Sequence, residues 1–428
     1  MTTQFKAEVF QNQYLSQGIK EVHAIMTVTA IGGEGVNATS MGNKMFGIIC
    51  DTSGSMGGGK IHAARDAMVK IVNLLPEDTS FFIVTGASLA QLIYPVSKAT
   101  PVNKEQAIAA IRKISATGGT VISKWLFEAL KQFQTMPNAL RQALLLTDGE
   151  NDDSDEKQLN DVLQGCEGVF QCDCRGVGTD WQVKQLQIIS AKLLGTTDII
   201  SNATMIEADF RAILEKAMSK NVSDVALRLW TPQSAQVLYC KQVSPDLVDI
   251  SNRAKVVKTQ VYDYPTGAWG KNESRDYHFC IQVQPGNIGD EMLAGRASLI
   301  YTINGVETKV AEARILAIWT DDDAKSTKIE RTVAHYTGQA ELAQSIQEGL
   351  EARDRGYIEV ATAKLGKAVQ LAHESGNEAT AKLLRKVVEI EDAASGTVRI
   401  KRDVAKVDAM ALETRSTKTT RIPNSDNK

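Results

Sequence analysis

Phe46-Gly-Ile-Ile-Cys-Asp51-Thr-Ser53-Gly-Ser55-Met56 is the stretch on which the reading of this chain turns. An apolar strand there delivers one carboxylate and two hydroxyls into a glycine-rich turn, and a helix follows. Hard oxygen donors gathered where a parallel strand ends lie where open α/β sheets place their binding sites.

Outward from that stretch, apolar strands and amphipathic helices alternate from residue 45 to about 220, the pattern of a doubly wound α/β domain. Strands are expected at 45–51, 79–85, 90–95, 141–147, 169–177 and 197–201, with helices near 58–75, 103–115, 121–134, 157–165, 182–194 and 206–219. At Val222 the pattern changes to alternating strands such as Asp224–Trp230, Tyr277–Val283 and Ala297–Thr302, punctuated by turn signals at Pro265-Thr-Gly267, Pro285-Gly286 and Asn304-Gly305. That is the pattern of an antiparallel sandwich. Residues 3–31 also alternate, until Gly32-Gly-Glu-Gly35 breaks them, and they have no other sheet to join.

The expected fold class is therefore α/β: a mostly parallel, Rossmann-like sheet inserted between two parts of a β-sandwich, with a helical segment after it. The domains are 3–35, sandwich strands; 42–220, the α/β domain; 222–322, the rest of the sandwich; 326–395, helices; and 396–428, a basic, threonine-rich tail. In the helical segment Leu342, Ile346, Leu350, Leu365 and Val369 have helical spacing, and Gly356 and Gly376 mark turns between about three antiparallel helices. Gly356–Ala372 resembles a tetratricopeptide repeat. One copy cannot form an array, so a helical cap on the sandwich is expected.

Two chemistries compete for the opening stretch. Gly54-Ser-Met-Gly-Gly-Gly59-Lys60 fits the phosphate-cradling pattern G-x4-G-K, so a Mg2+-dependent nucleotide hydrolase is the rival reading. However, Ile61 stands where that pattern needs Ser or Thr, and Asp51 would repel phosphate from the turn. The metal reading uses what the rival leaves idle. Asp51, Ser53 and Ser55 have D-x-S-x-S spacing, Thr120 follows Gly118-Gly119 at an expected helix start, and Asp148 ends strand 141–147. Two carboxylates and three hydroxyls suit an octahedral Mg2+ or Mn2+ that keeps waters or one open position.

These residues, with Leu145-Leu-Thr-Asp-Gly149, resemble the metal-ion-dependent adhesion site of von Willebrand factor type A domains. The resemblance covers residues 45–220. It implies that the metal's open position accepts an acidic side chain from a protein partner, in adhesion or assembly and rarely in catalysis. Cys172–Trp181, Tyr264–Trp269 and Ala334–Ala340 make the whole chain similar to bacterial cytoplasmic proteins of this family. That similarity implies phosphosignalling with forkhead-associated domains, Ser/Thr kinases and PP2C-type phosphatases. Thr414, Thr417, Thr419 and Thr420, beside Arg and Lys in the tail, are then candidate phosphorylation sites.

The bulk numbers are permissive. In 428 residues a net charge of -3 supplies no reason to expect nucleic acid, and no apolar run reaches the ~18 residues a membrane span needs. The start of the chain lacks a basic and then apolar leader pattern, so the cytoplasm is the expected compartment. Cys166, Cys172 and Cys174 cluster without zinc-type spacing and read as buried thiols. The five histidines show no paired spacing, and the acidic run Glu150–Glu156 reads as a solvated loop.

Overall fold

The computed structural model describes residues 4–31, 43–303 and 306–421. Two compact units divide the chain: Asn37–Asn221, and Met1–Val36 together with Val222–Lys428. The Gly32–Gly35 break and the Asn304-Gly305 turn lie outside the described residues.

Three strands precede the α/β unit: β1 (Gln4–Gln11), β2 (Tyr14–Leu15) and β3 (Glu21–Ile31). The α/β unit then runs β4 (Lys44–Asp51), α1 (Gly59–Leu74), β5 (Ser80–Gly86), β6 (Ala90–Lys98), α2 (Pro101–Ile111), α3 (Ile122–Gln134), β7 (Leu140–Thr147), α4 (Glu156–Cys166), β8 (Gln171–Val177), α5 (Val183–Lys192), β9 (Thr197–Ile200) and α6 (Ile206–Ser219). Its sheet has the order β6-β5-β4-β7-β8-β9, parallel except where β6 meets β5. β4 is central and buried along nearly its whole length, which explains its unbroken apolar run. From β4 the chain winds outward to β5 and later returns to β7 on the other side. The switch point of the winding is thus between β4 and β7, and Asp51 and Asp148 stand at their carboxyl ends.

Helices of this unit cover the sheet with apolar residues three and four apart, as with Ile61, Ala64, Met68, Ile71 and Val72 of α1. α2 starts two residues earlier than expected, because Thr100 Oγ1 accepts from Asn103 N and Pro101 occupies the first turn. Lys44 Nζ donates to Met218 O, so the two ends of the unit meet, as an inserted domain requires.

The second unit continues with β10 (Lys220–Trp230), β11 (Ala235–Ser244), β12 (Val248–Asp249), β13 (Lys255–Lys258), β14 (Val261–Gly270), β15 (Ser274–Val283), β16 (Glu291–Ile303) and β17 (Val306–Trp319). Two sheets result, β1-β3-β15-β11-β12 and β13-β14-β10-β16-β17-β2, with Val28, Leu227, Trp269, Phe279, Leu299 and Trp319 in the core between them. The amino-terminal strands join both: β3 pairs with β15 and β2 with β17. Pro265-Thr-Gly267, expected as a turn, lies inside β14. Pro265 is tolerated because pairing with the short β13 ends at Asp263, so no ladder bond is lost on that side.

Helices follow as α7 (Asp323–Ser326), α8 (Arg331–Asp354), α9 (Ile358–Glu374) and α10 (Glu378–Val387), then a hairpin of β18 (Val388–Asp392) and β19 (Thr397–Ile400), and α11 (Lys406–Arg415). Gly356 and Gly376 end α8 and α9 with φ of 80° and 64°, the left-handed turns that glycine allows. Val333 and Tyr336 of α8 pack with Ile25 and Val243 of the sandwich, so the helices do cap it.

The segment expected as a basic, threonine-rich tail over 396–428 is part of the fold as far as residue 421. Leu412 and Ala409 of α11 join Leu342, Ile346, Leu365 and Leu384 in one cluster, and the backbone at Lys418 pairs with that at Asp246 in an isolated antiparallel β-bridge. The basic residues misled because most of them lie outside α11, whose run Ala409–Leu412 is buried on a core built by earlier segments. Likewise, residues 388–395 are part of a hairpin and not helix.

Candidate metal centre

At the end of β4 the chain turns through Thr52 and Ser53 into a single 3-10 turn over Gly54–Met56, and α1 begins at Gly59. Neighbouring loops fix this turn. Thr52 N donates to Gly86 O at 2.7 Å, Gly54 N to Gly118 O at 2.9 Å, and Thr117 N to Thr52 O at 2.7 Å.

All five expected ligands are brought to one place. Ser53 N donates to Asp51 Oδ1 at 2.7 Å, the Ser53 and Ser55 hydroxyls are 2.9 Å apart, and Ser55 Oγ donates to Asp148 Oδ1 at 2.8 Å. Thr120 closes the ring from the other side: a Cβ added at Gly149 would lie 3.0 Å from Thr120 Oγ1, 3.3 Å from Ser55 Oγ and 3.8 Å from Asp51 Oδ2. Any side chain at 149 would therefore fill the space these oxygens share. Glycine is needed there for room. The donors are all oxygens, the chemistry that suits Mg2+ or Mn2+, so the residues present fit such an ion.

Electrostatics favour a cation. Asp51 and Asp148 are both fully buried. Burial holds the Asp51 carboxyl above its ordinary range, against hydrogen bonds from Ser53 and Thr147, and the charge of Asp148 adds to the rise. Asp148 has an internal partner, Lys60 Nζ at 2.5 Å from its Oδ2, and Asp180 lies 3.5 Å from the same ammonium. Burial lowers Lys60, but its bonds and charge contacts with Asp148 and Asp180 outweigh this and leave it raised. Lys60 serves Asp148, and two buried carboxylates with one ammonium on one of them are costly unless a further cation compensates.

Three amides of the phosphate-pattern loop are used within the protein. Gly54 N bonds Gly118 O, Met56 N bonds Ser53 O and Gly57 N bonds Gly54 O, so these amides are not turned toward a ligand. Lys60, which a phosphate loop would aim at phosphates, is spent on Asp148.

Sequence reasoning missed three supports. Thr147 Oγ1 donates to Asp51 Oδ2 at 2.5 Å, and its place beside Asp148 at a strand end was the available signal. Lys60 was read only as part of the phosphate pattern. The acidic run Glu150–Glu156 is not simply solvated: Asp155 is buried, its Oδ2 accepts from Ser123 N at 2.9 Å, and Asn151 Oδ1 accepts from Ile122 N at 2.8 Å. These two side chains satisfy the first amides of α3, which lacks a cap of its own. They hold the helix start next to Thr120, whose carbonyl accepts from Asp152 N at 2.9 Å.

The expected phosphorylation sites are engaged with the rest of the fold. Thr414 is buried in α11 and donates to Met410 O at 2.7 Å. Thr419 Oγ1 donates to Val243 O at 2.6 Å. Thr420 is held by α8: Gln339 Nε2 donates to its Oγ1 and its carbonyl, both at 2.8 Å, and His335 Nε2 lies 2.7 Å from that carbonyl. Thr417 is part-buried, and its carbonyl accepts from Leu247 N at 2.7 Å. Cys166, Cys172 and Cys174 are each fully buried, and all six cysteines are free thiols.

A doubly wound sheet whose central strands end in an all-oxygen donor set defines an α/β domain with a candidate cation site at its switch point. Residues 47–199 match the von Willebrand factor type A domain, and residues 370–416 match the von Willebrand factor type A C-terminal domain. A solved von Willebrand factor type A protein from Catenulispora acidiphila is 43% identical, with a TM-score of 0.92 over 98% of each chain. The chain belongs to the von Willebrand factor type A family. The ArnB paralog VWA2 from Sulfolobus acidocaldarius, 14% identical with a TM-score of 0.58 over 97% of this chain and 98% of its own, is alike in fold. Among curated proteins, an uncharacterized protein of Synechocystis is 24% identical over 51% of this chain and 53% of its own length. Inter-alpha-trypsin inhibitor heavy chain H3 of Mesocricetus auratus is 25% identical over 55% of this chain and 28% of its own. The chain thus spans about half, or less, of these curated relatives. Among the described residues, no helix is long and apolar enough to cross a membrane.

Proposed function

We propose that this chain is a Mg2+-dependent protein-binding module that docks an acidic side chain of a partner at Asp51, Ser53, Ser55, Thr120 and Asp148. The convergence of those five residues around Gly149 carries the reading. When bound, the ion supplies a positive centre with a coordination position for an outside carboxylate. The chain's own residues do the rest. Asp51 and Asp148 hold the charge, Ser53, Ser55 and Thr120 fill the shell without adding charge, and Thr147 and Lys60 fix the two carboxylates. Asp51, Asp148 and Asp180 against Lys60 leave the site negative by two charges without the ion and neutral with it. An acidic partner is repelled in the first state, and in the second it meets the ion's open position without that repulsion. Six unpaired thiols suit the reducing cytoplasm as the place of action.

Pull-down from the native cell tests this, with wild type in Mg2+, wild type in EDTA and Asp51→Ala in Mg2+. A partner retained only by the first supports the reading, and equal recovery in all three contradicts it.

The finer reading, Ser/Thr phosphosignalling with a forkhead-associated domain, a kinase or a PP2C-type phosphatase, is a proposal that draws on the chain's resemblance to signalling proteins of the family. Modification of Thr414, Thr419 or Thr420 would require the segment to leave the bonds that hold it. Phosphopeptide mass spectrometry of the native protein decides the matter. An unmodified 414–420 segment under several growth conditions counts against it.

A further inference from the structure

A second group of metal-binding side chains lies in the other unit, on one face of the β1-β3-β15-β11-β12 sheet. Antiparallel pairing sets Cys280 of β15 directly opposite His23 of β3, and Glu21 lies two residues from His23 on the same face. Tyr239 of β11 pairs with Cys280 from the other side. Glu21 Oε2, His23 Nε2 and Cys280 Sγ form a triangle with sides of 3.7, 3.9 and 3.9 Å. An ion at its centre would be about 2.2 Å from each atom, within the ~2.0–2.3 Å range of Zn2+ bonds to oxygen, nitrogen and sulfur.

The surroundings are ordered for that role. His23 turns Nε2 toward Glu21 and Cys280, while Nδ1 lies 3.2 Å from His278 Nε2 and 3.3 Å from the Tyr239 hydroxyl. With its proton on Nδ1 and shared with His278, the ring leaves Nε2 bare toward the triangle. Such a partner behind a ligating histidine is the usual way its ring and tautomer are fixed. Cys280 and His278 are buried, whereas Glu21 is exposed and gives solvent a way in. Three protein donors therefore leave a fourth position to water.

We propose that Glu21, His23 and Cys280 form a transition-metal site, distinct from the oxygen-only site at Asp51, with Zn2+ as its best-matched ion and His278 as the positioning residue behind His23. A thiolate and an imidazole select against Mg2+ and Ca2+ and for borderline first-row ions. The two sites thus sort metals by donor chemistry.

Cobalt titration of the reduced full chain in excess Mg2+ tests the proposal, because a thiolate on Co2+ gives a charge-transfer band in the near ultraviolet that oxygen ligands do not. The expected result is a band that saturates at one equivalent, is displaced by Zn2+ and is absent in Cys280→Ser. Glu21→Gln, at an exposed position that leaves folding intact, should weaken Co2+ binding about tenfold or more, and His278→Gln about tenfold through His23. Wild type without the band, a band that survives in Cys280→Ser, or unchanged affinity in Glu21→Gln would overturn the proposal.

Discussion

Single atoms decide much at the oxygen site. Gly149→Ala places a methyl group 3.0 Å from Thr120 Oγ1, inside the space the ligands share. Affinity for Mg2+ should fall about tenfold or more, equivalent to ~1.4 kcal/mol, with little change in thermal stability, as calorimetry can check. Lys60 acts in the opposite direction. Removing its ammonium leaves Asp148 buried and unpaired, so Lys60→Met should lose about 1–3 kcal/mol of stability in EDTA by urea melts, and Mg2+ should restore most of it. Equal loss with and without Mg2+ would show that Lys60 matters only for packing. In the sandwich, burial first, then the nearby charges of His23 and Lys241, pushes His278 down to about 3 from its ordinary 6.5. A folded value below the unfolded one means that this contribution is complete above pH ~6.5 and is lost as pH falls toward 3. In chelator, His278→Gln should flatten the acid side of the stability curve over that window, and an unchanged slope contradicts the assignment.

Elements show where sequence patterns suffice and where they do not. β4, β5 and β7 were legible because burial on both faces demands apolar runs, β8 because its residues alternate, and α1, α3, α4, α5 and α6 because each buries one apolar face. The five oxygen ligands were legible because three lie within one turn and two at the ends of recognisable elements. What escaped reading depended on neighbours distant in sequence. Asp155 caps α3 from 32 residues away, Pro265 sits in a strand because β13 is short, and α11 is ordered by a cluster it did not build. Asp155→Ala tests the first of these. It strips the cap from Ser123, so it should cost about 1–3 kcal/mol and weaken Mg2+ binding through the displaced Thr120 loop. Full Mg2+ affinity in a destabilised Asp155→Ala protein would separate the cap from the site.

At the scale of the molecule, each unit has a hydrophobic core of its own, and the ends of the α/β unit are tied by Lys44 and Met218. Residues 42–220 expressed alone should therefore fold and bind Mg2+ as the full chain does, with the oxygen site wholly contained in them. The sandwich and its helical cap owe their order to segments far apart in sequence, since β1, β3 and Arg421 reach the same sheet: β3 pairs with β15, and Arg421 bonds Asp276 at 2.8 Å. The central claim is that the five converging residues hold a divalent cation, and isothermal titration of Mg2+ into EDTA-stripped full-length protein tests it most directly. The account predicts one-site binding by wild type, lost in Asp51→Ala at an unchanged fold by circular dichroism. Mg2+ binding by Asp51→Ala equal to wild type, or none by wild type at millimolar Mg2+, would contradict it.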